Sequence, residues 1–245
     1  MKIEIVTFTG ADESVKAEDI LRVVEDYPAV SIEWGLLLSK SNEGKRPRYP
    51  SFDWMKNFCN QAKHVNTRIA GHLQGQWLRS LFNKDPYDTE PDSFLRNRGE
   101  LVEYMERLQL NFHSTSTKLP EGWWNYIAFY NVFSKRFIFQ MDGANDHLFE
   151  TGMKNNLNCY PLFDRSAGEG IVPDSWPAPL HPTFNGYAGG LGPENVAEQL
   201  KRIGDVVGDG KIWIDMETKI RSSDDAKFML DKCRAVLDVV VALQT

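Results

Sequence analysis

Short apolar runs alternate with helical stripes along the whole chain. Strand-type runs fall at 2–8, 30–36, 68–74, 108–113, 136–142, 158–164, 183–189 and 211–217. Between them apolar residues recur at helical spacing: Ala17, Ile20, Leu21, Val24; Met55, Phe58, Cys59, Ala62; Leu95, Leu101, Val102, Met105; and Trp124, Ile127, Ala128, Val132. Two more stripes are Val196, Leu200, Ile203, Val207 and the long set from Ala226 to Val240. These follow the i, i+3, i+4, i+7 spacing of a helix packed on one face. Ser51 after Pro50 opens the second stripe, and Pro193 stands at a first-turn position of the fifth. The segment 143–157 carries only Leu148, Phe149 and Met153, the weakest stripe. Eight strands alternating with helices imply parallel pairing through crossovers. In 245 residues this predicts one (β/α)₈ barrel (a TIM barrel) spanning 1–245, with an open doubly wound sheet as the alternative.

Splitting each strand by parity sharpens the picture, because successive side chains point to opposite faces. Ile69, Gly71, Leu73 oppose His72 and Gln74; Leu108, Leu110, Phe112 oppose Gln109, Asn111, His113. Phe137, Phe139, Met141 oppose Gln140 and Asp142, and Ile212, Ile214, Met216 oppose Trp213, Asp215 and Glu217. One parity is apolar, as helix-covered strand faces require. The other turns polar toward the strand end, which predicts a polar ring at the C-terminal mouth. Glu33, His72, Asp142, Asp164, Asp215 and Glu217 are its candidate acid–base groups, with His72 and His113 as bases near neutral pH.

Composition excludes several classes. The net charge is −6, so no strong field draws nucleic acid or anionic lipid. No apolar run reaches the length of a membrane span, and the start reads as a strand. Cys59, Cys159 and Cys233 are scattered without CxxC pairs, which favours a reducing cytoplasm over a disulfide scaffold or structural zinc. Carboxylates and imidazole at one mouth leave a divalent metal open, although no HxH or HExxH spacing supports one. No other cofactor is expected. The aromatic stretch holding Trp123, Trp124, Tyr126, Phe129 and Tyr130 suggests a lid or a subunit contact, so a homo-oligomer stays open.

Several segments occur in a telling order: GLLLSKSNEGKRPRYPS (35–51), LQLNF (108–112), PLFDRSAGEG (161–170) followed by PDSW (173–176), YAGGLGPENV (187–196) and WIDMETKIR (213–221). Together they resemble strand segments of phosphoribosylanthranilate isomerase, a (β/α)₈ enzyme. The resemblance implies an Amadori rearrangement of an aminoaldose phosphate, with a strand-one Cys as base and a strand-six Asp as acid. It places Asp164 on the acid, Arg48 on the arginine that grips the substrate carboxylate, and Gly189 and Gly190 on the phosphate loop. Two departures follow from it. The family's Lys-Ile-Cys-Gly-Ile-Thr aligns with residues 4–9, so Val6 stands where the thiol should be. The family's Ser-Ser-Gly after strand eight becomes Glu217, Thr218 and Lys219, and a carboxylate there repels a phosphate dianion unless Lys219 or Arg221 compensates.

The expectation is therefore an isomerase or lyase acting by proton transfer on a small, sugar-like, anionic substrate, without the family's thiol-dependent reaction. Asp164 is the acid, and Glu33, Glu217 or His72 the base. Arg48, Asn111, His113, Asp142 and Asp215 line the substrate, and Gly189 and Gly190 hold phosphate. A metal-dependent hydrolase or aldolase-like lyase, and an inactive binding barrel, are the alternatives.

Overall fold

The computed structural model describes residues 1–82, 93–112, 118–132, 134–164, 170–182 and 184–244. Eight strands, β1 (Lys2–Thr9), β2 (Ile32–Leu38), β3 (Arg68–Gln74), β4 (Arg107–Asn111), β5 (Arg136–Met141), β6 (Cys159–Phe163), β7 (Asn185–Ala188) and β8 (Lys211–Met216), form a closed barrel. Every neighbouring pair is parallel, and β8 returns to β1 from Lys2–Lys211 to Phe8–Met216. That closure removes the open-sheet alternative. The helices are α1 (Ala17–Asp26), α2 (Phe52–Ala62), α3 (Gly75–Ser80), α4 (Phe94–Val102), α5 (Trp124–Val132), α6 (Asp146–Lys154), α7 (Val196–Val207) and α8 (Leu230–Gln244); α3 and α4 both follow β3, and among the described residues no helix lies between β6 and β7.

Local chemistry explains most boundaries. Ser51 accepts a hydrogen bond from Trp54 N at 3.3 Å, capping α2 where the sequence placed its start. Pro193 lies outside α7, because Asn195 N and Val196 N both bond to Gly192 O in a tight turn first. The last helix begins later than its stripe. Residues 226–229 fold back instead, with Arg221 bridging to Phe228 and Met229 N bonding to Ile220 O. The short helix α3 has no apolar stripe and was not foreseen.

The apolar parity packs outward. Val6, Phe8, Ile32, Trp34, Leu108 and Ile214 join Ile20, Phe58, Leu200 and Val236 in the layer between strands and helices. Val6 is thus part of that layer, and Thr7 and Thr9 carry the inward parity of β1. The alignment that set Val6 against a catalytic thiol therefore puts the wrong face of β1 toward the mouth. Inside the barrel Ile5, Ile138, Leu162, Phe184, Ala188 and Trp213 form a second, smaller cluster.

Trp123 is buried, with ring contacts to Phe82 and Phe139, so it is core rather than lid. The side chains of Phe129 and Tyr130 lie outside the described residues.

Candidate active site

The polar parity is inward, as expected, but it is polar through more of the barrel than the mouth. Glu33 is the second residue of β2 and sits deep in the barrel, fully buried. Arg107, the first residue of β4, clamps it through Nε at 2.8 Å and Nη2 at 2.5 Å, and Thr7 Oγ1 donates to it at 2.9 Å. Burial works against its charge, yet the guanidinium and the Thr7 hydroxyl hold its carboxyl below the usual range. A carboxylate so satisfied has no access to the mouth, which corrects its candidacy as base. His72 is also buried and does not line the cavity; burial pushes its imidazole down to about 4. His113 lies outside the described residues.

Glycine makes room for this interior. A Cβ on Gly35 would stand 2.2 Å from Thr9 Oγ1 and 2.8 Å from His72 Nε2, so glycine leaves the room that both side chains occupy beside β2.

At the C-terminal ends of the strands opens a cavity of about 360 Å³. Its walls include Asn111, Asp142, Asp164, Gly189, Gly190, Asp215, Glu217 and Arg48, all expected from sequence. Asp215 is its floor. Thr9 Oγ1 donates to Asp215 Oδ1 at 2.8 Å. Burial raises this carboxyl to about 8 against the pull of the Thr9 hydroxyl, and the charges of Glu217 and Glu33 add to the rise. Asp215 therefore keeps its proton at neutral pH. Glu217, the next inward residue, is also raised by burial; Arg48 counters, while Asp164 and Asp225 push it further up.

Arg48 is occupied. Its Nη1 donates to Glu217 Oε1 at 2.7 Å and to Thr218 Oγ1 at 3.1 Å, and its Nε to Asp225 Oδ1 at 2.8 Å. Its backbone sits at φ 74°, a left-handed conformation that L-residues rarely adopt, and its N–H donates to Asp12 Oδ2 at 2.6 Å. Arg221 completes the network, fully buried, bonding Asp12 at 2.8 Å and Asp225 at 2.6 Å. The loops after β1, β2 and β8 are thus tied by two guanidinium groups. Arg48 is a clamp on Glu217 in this arrangement, and Arg221 is unavailable to offset charge at a phosphate.

Other assigned residues do double duty. Asp142 Oδ1 accepts from the N–H groups of Ala144 and Asn145, both at 2.9 Å, so it holds the turn that leads into α6 while lining the cavity. Asn111 accepts from Gln109 Nε2 at 2.9 Å, and Asp164 from Gln140 Nε2 at 3.3 Å. Gly190 has φ 64°, and a Cβ there would stand 2.6 Å from Val172 N, so the β7 loop packs directly on the loop after β6.

Sequence reasoning did not assign roles to Gln74, Gln109 and Gln140, although parity put all three inward. They line the cavity, and Tyr49 Oη donates to Gln74 Oε1 at 3.0 Å. Asp12 and Asp225 gave no signal, being single acids in polar loops. None of the three cysteines lines the cavity; each is buried, and burial raises Cys59 and Cys159 to about 12. Among the described residues no three of His, Cys, Asp or Glu are grouped to hold a metal ion. No helix among them is long and apolar enough to cross a membrane.

No family model matches the chain, and no curated protein matches it in sequence. Solved structures do match it. Phosphoribosyl anthranilate isomerase from Thermotoga maritima aligns over 99% of this chain and 100% of its own, with TM-score 0.56 and 15% identity. D-psicose 3-epimerase from Clostridium cellulolyticum H10, solved with D-tagatose, covers 99% and 98%, with TM-score 0.50 and 10% identity. Aspergillus clavatus Sph3, solved in complex with GalNAc, covers 97% and 98%, with TM-score 0.50 and 9% identity. At these identities the likeness is one of architecture. The likeness runs over the whole chain and agrees with the closed, parallel (β/α)₈ barrel described above.

Proposed function

We propose that this barrel is an isomerase or lyase that moves a proton on a small polyhydroxylated, sugar-like substrate. The observation that carries the reading is Asp215: a buried carboxylic acid at the floor of the mouth, raised to about 8, beside a second raised carboxyl, Glu217. Groups of one kind whose environments differ are how a site runs acid and base chemistry at one pH. Asp215 would donate a proton to a carbonyl or hydroxyl oxygen through the oxygen that Thr9 leaves free. Glu217, held by Arg48, would take a proton from the adjacent carbon. The two sit on consecutive inward positions of one strand and its end, so both face the same cavity. Gln74, Gln109, Asn111 and Gln140 supply amide donors and acceptors that suit hydroxyl groups.

This reading moves the acid from Asp164, where the isomerase resemblance puts it, to Asp215. Asp164 then binds a substrate hydroxyl together with Gln140. The finer claim of kinship with phosphoribosylanthranilate isomerase rests on the segment order and on Gly189–Gly190 at the β7 end. Phosphate on that loop would depend on Lys219, whose Cβ would be 2.5 Å from a Cβ added to Gly192 beside the α7 start, since Glu217 brings a carboxylate to the same cavity. A small anionic or neutral sugar as partner, and action in the cytoplasm, belong to the same proposal.

The test is solvent exchange. The protein would be incubated in deuterated water with a panel of aldoses, ketoses and their phosphates, and each followed by proton NMR. The reading expects deuterium at one carbon next to a carbonyl in at least one sugar, with Asp215→Asn and Glu217→Gln each slowing it about a hundredfold or more. Exchange that survives both substitutions, or no exchange in any sugar, overturns it.

A further inference from the structure

The opposite end of the barrel carries a second cavity, of about 950 Å³, framed by the first residues of the strands. In a (β/α)₈ barrel this face ordinarily serves stability. Its charge here is unusual. Lys2, Arg68, Arg136 and Lys211 line it against one carboxylate, Glu4, in a chain whose net charge is −6.

The register makes the concentration of cations costly. Lys2 and Lys211 are direct partners on β1 and β8, and Arg107 and Arg136 are direct partners on β4 and β5. Like charges side by side on adjacent strands repel. Arg107 is neutralised by Glu33, and Arg68 is paired with Glu106 and donates to Ser31 Oγ at 3.0 Å. Lys2 and Lys211 share the single carboxylate of Glu4, at 3.5 and 2.8 Å. Arg136 makes no ion pair among the described residues, although it lines the cavity and is half-buried. A planar guanidinium with five donors and no ion pair among the described residues, set in a concave wall, matches an anionic oxygen fork.

We infer that this N-terminal cavity binds a multiply charged oligophosphate group, of the di- or triphosphate class. The cations stand on different sides of the opening, Lys2 and Lys211 on β1 and β8, Arg68 and Arg136 on β3 and β5. A single phosphate in a space this wide reaches one side only, whereas a linear oligophosphate spans both. The site is separate from the C-terminal mouth and does not depend on the reaction proposed there.

The test is calorimetric titration of the full chain with inorganic tripolyphosphate at low salt. The expected result is saturable binding that weakens with added salt and persists in Lys219→Gln, which removes the cation on which phosphate at the C-terminal mouth would depend. Arg136→Gln should weaken it about tenfold or more, the worth of one charge-assisted contact. Because Arg136 holds no ion pair, this change leaves the fold in place. Lys211→Gln, on the exposed rim, should weaken binding about threefold and serves as the second variant. No saturable binding, or binding that Lys219→Gln abolishes while both Arg136→Gln and Lys211→Gln retain it, would overturn the inference.

Discussion

Thr9 Oγ1 donates a hydrogen bond to Asp215 Oδ1 at 2.8 Å, a bond made to a carboxyl that burial and the nearby charges of Glu217 and Glu33 push upward. That bond favours the ionised form and so restrains the rise that burial causes. Thr9→Val keeps the shape and removes the bond. We expect the alkaline limit of activity to move up by about one pH unit, at a stability cost of about 1 kcal/mol. A pH profile of kcat/KM beside urea unfolding checks both.

Asp215 also links pH to stability. In the folded chain it holds its proton up to about 8, while in the unfolded chain it loses it in the ordinary carboxylate range. Between those values the native state binds more protons, so the contribution is full at low pH and is lost as pH rises to about 8. His72 acts in the opposite sense. Its native imidazole stays neutral down to about 4, so stability falls as pH drops below the ordinary histidine value. Asp215→Asn removes the first loss: relative to the parent, it should be roughly 2 kcal/mol or more better off at about pH 9 than at about pH 5. Thermal unfolding across that range measures it, and a constant difference contradicts it.

The Glu33–Arg107 pair marks the boundary between scaffold and site. Removing one partner leaves a charge buried and uncompensated, so Glu33→Gln or Arg107→Met should each cost about 3 kcal/mol or more. The double variant Glu33→Met with Arg107→Met should cost much less than the sum. A double-mutant cycle by denaturant unfolding checks this. If Glu33→Gln kept stability and lost turnover, Glu33 would be the base after all.

Arg48 separates two roles by kinetics. As the clamp on Glu217, its loss should raise the Glu217 carboxyl further and lower kcat about tenfold to a hundredfold, with a smaller change in KM. The acid limb of the pH profile should shift upward with it. As a direct grip on a substrate carboxylate, its loss should act mainly through KM. Steady-state kinetics of Arg48→Gln at several pH values distinguish the two.

The fold was legible because both periods were clean. Apolar residues at helical spacing and strict alternation in strands such as β8 left little choice of architecture, and parity sent Asn111, Asp142, Asp164, Asp215 and Glu217 inward correctly. Depth was not legible. Parity says which face a residue takes, but not that Glu33, near the start of β2, meets Arg107 at the start of β4, because the stagger that brings them together is a property of the closed barrel. Val6 shows the same limit: an ungapped motif alignment ignored the pleat. Asp12, Asp225 and Arg221 were invisible as a network, since loop residues far apart in sequence come together only when three barrel loops converge.

The central claim is that Asp215 is a protonated acid at neutral pH, and it can be read directly. Carbon-13 labelling of aspartate carboxyls, with Asp215→Asn to assign the resonance, gives its titration by NMR. The account predicts a midpoint at about 8. A midpoint in the ordinary carboxylate range, below about 5, would contradict it and leave the mouth without its acid.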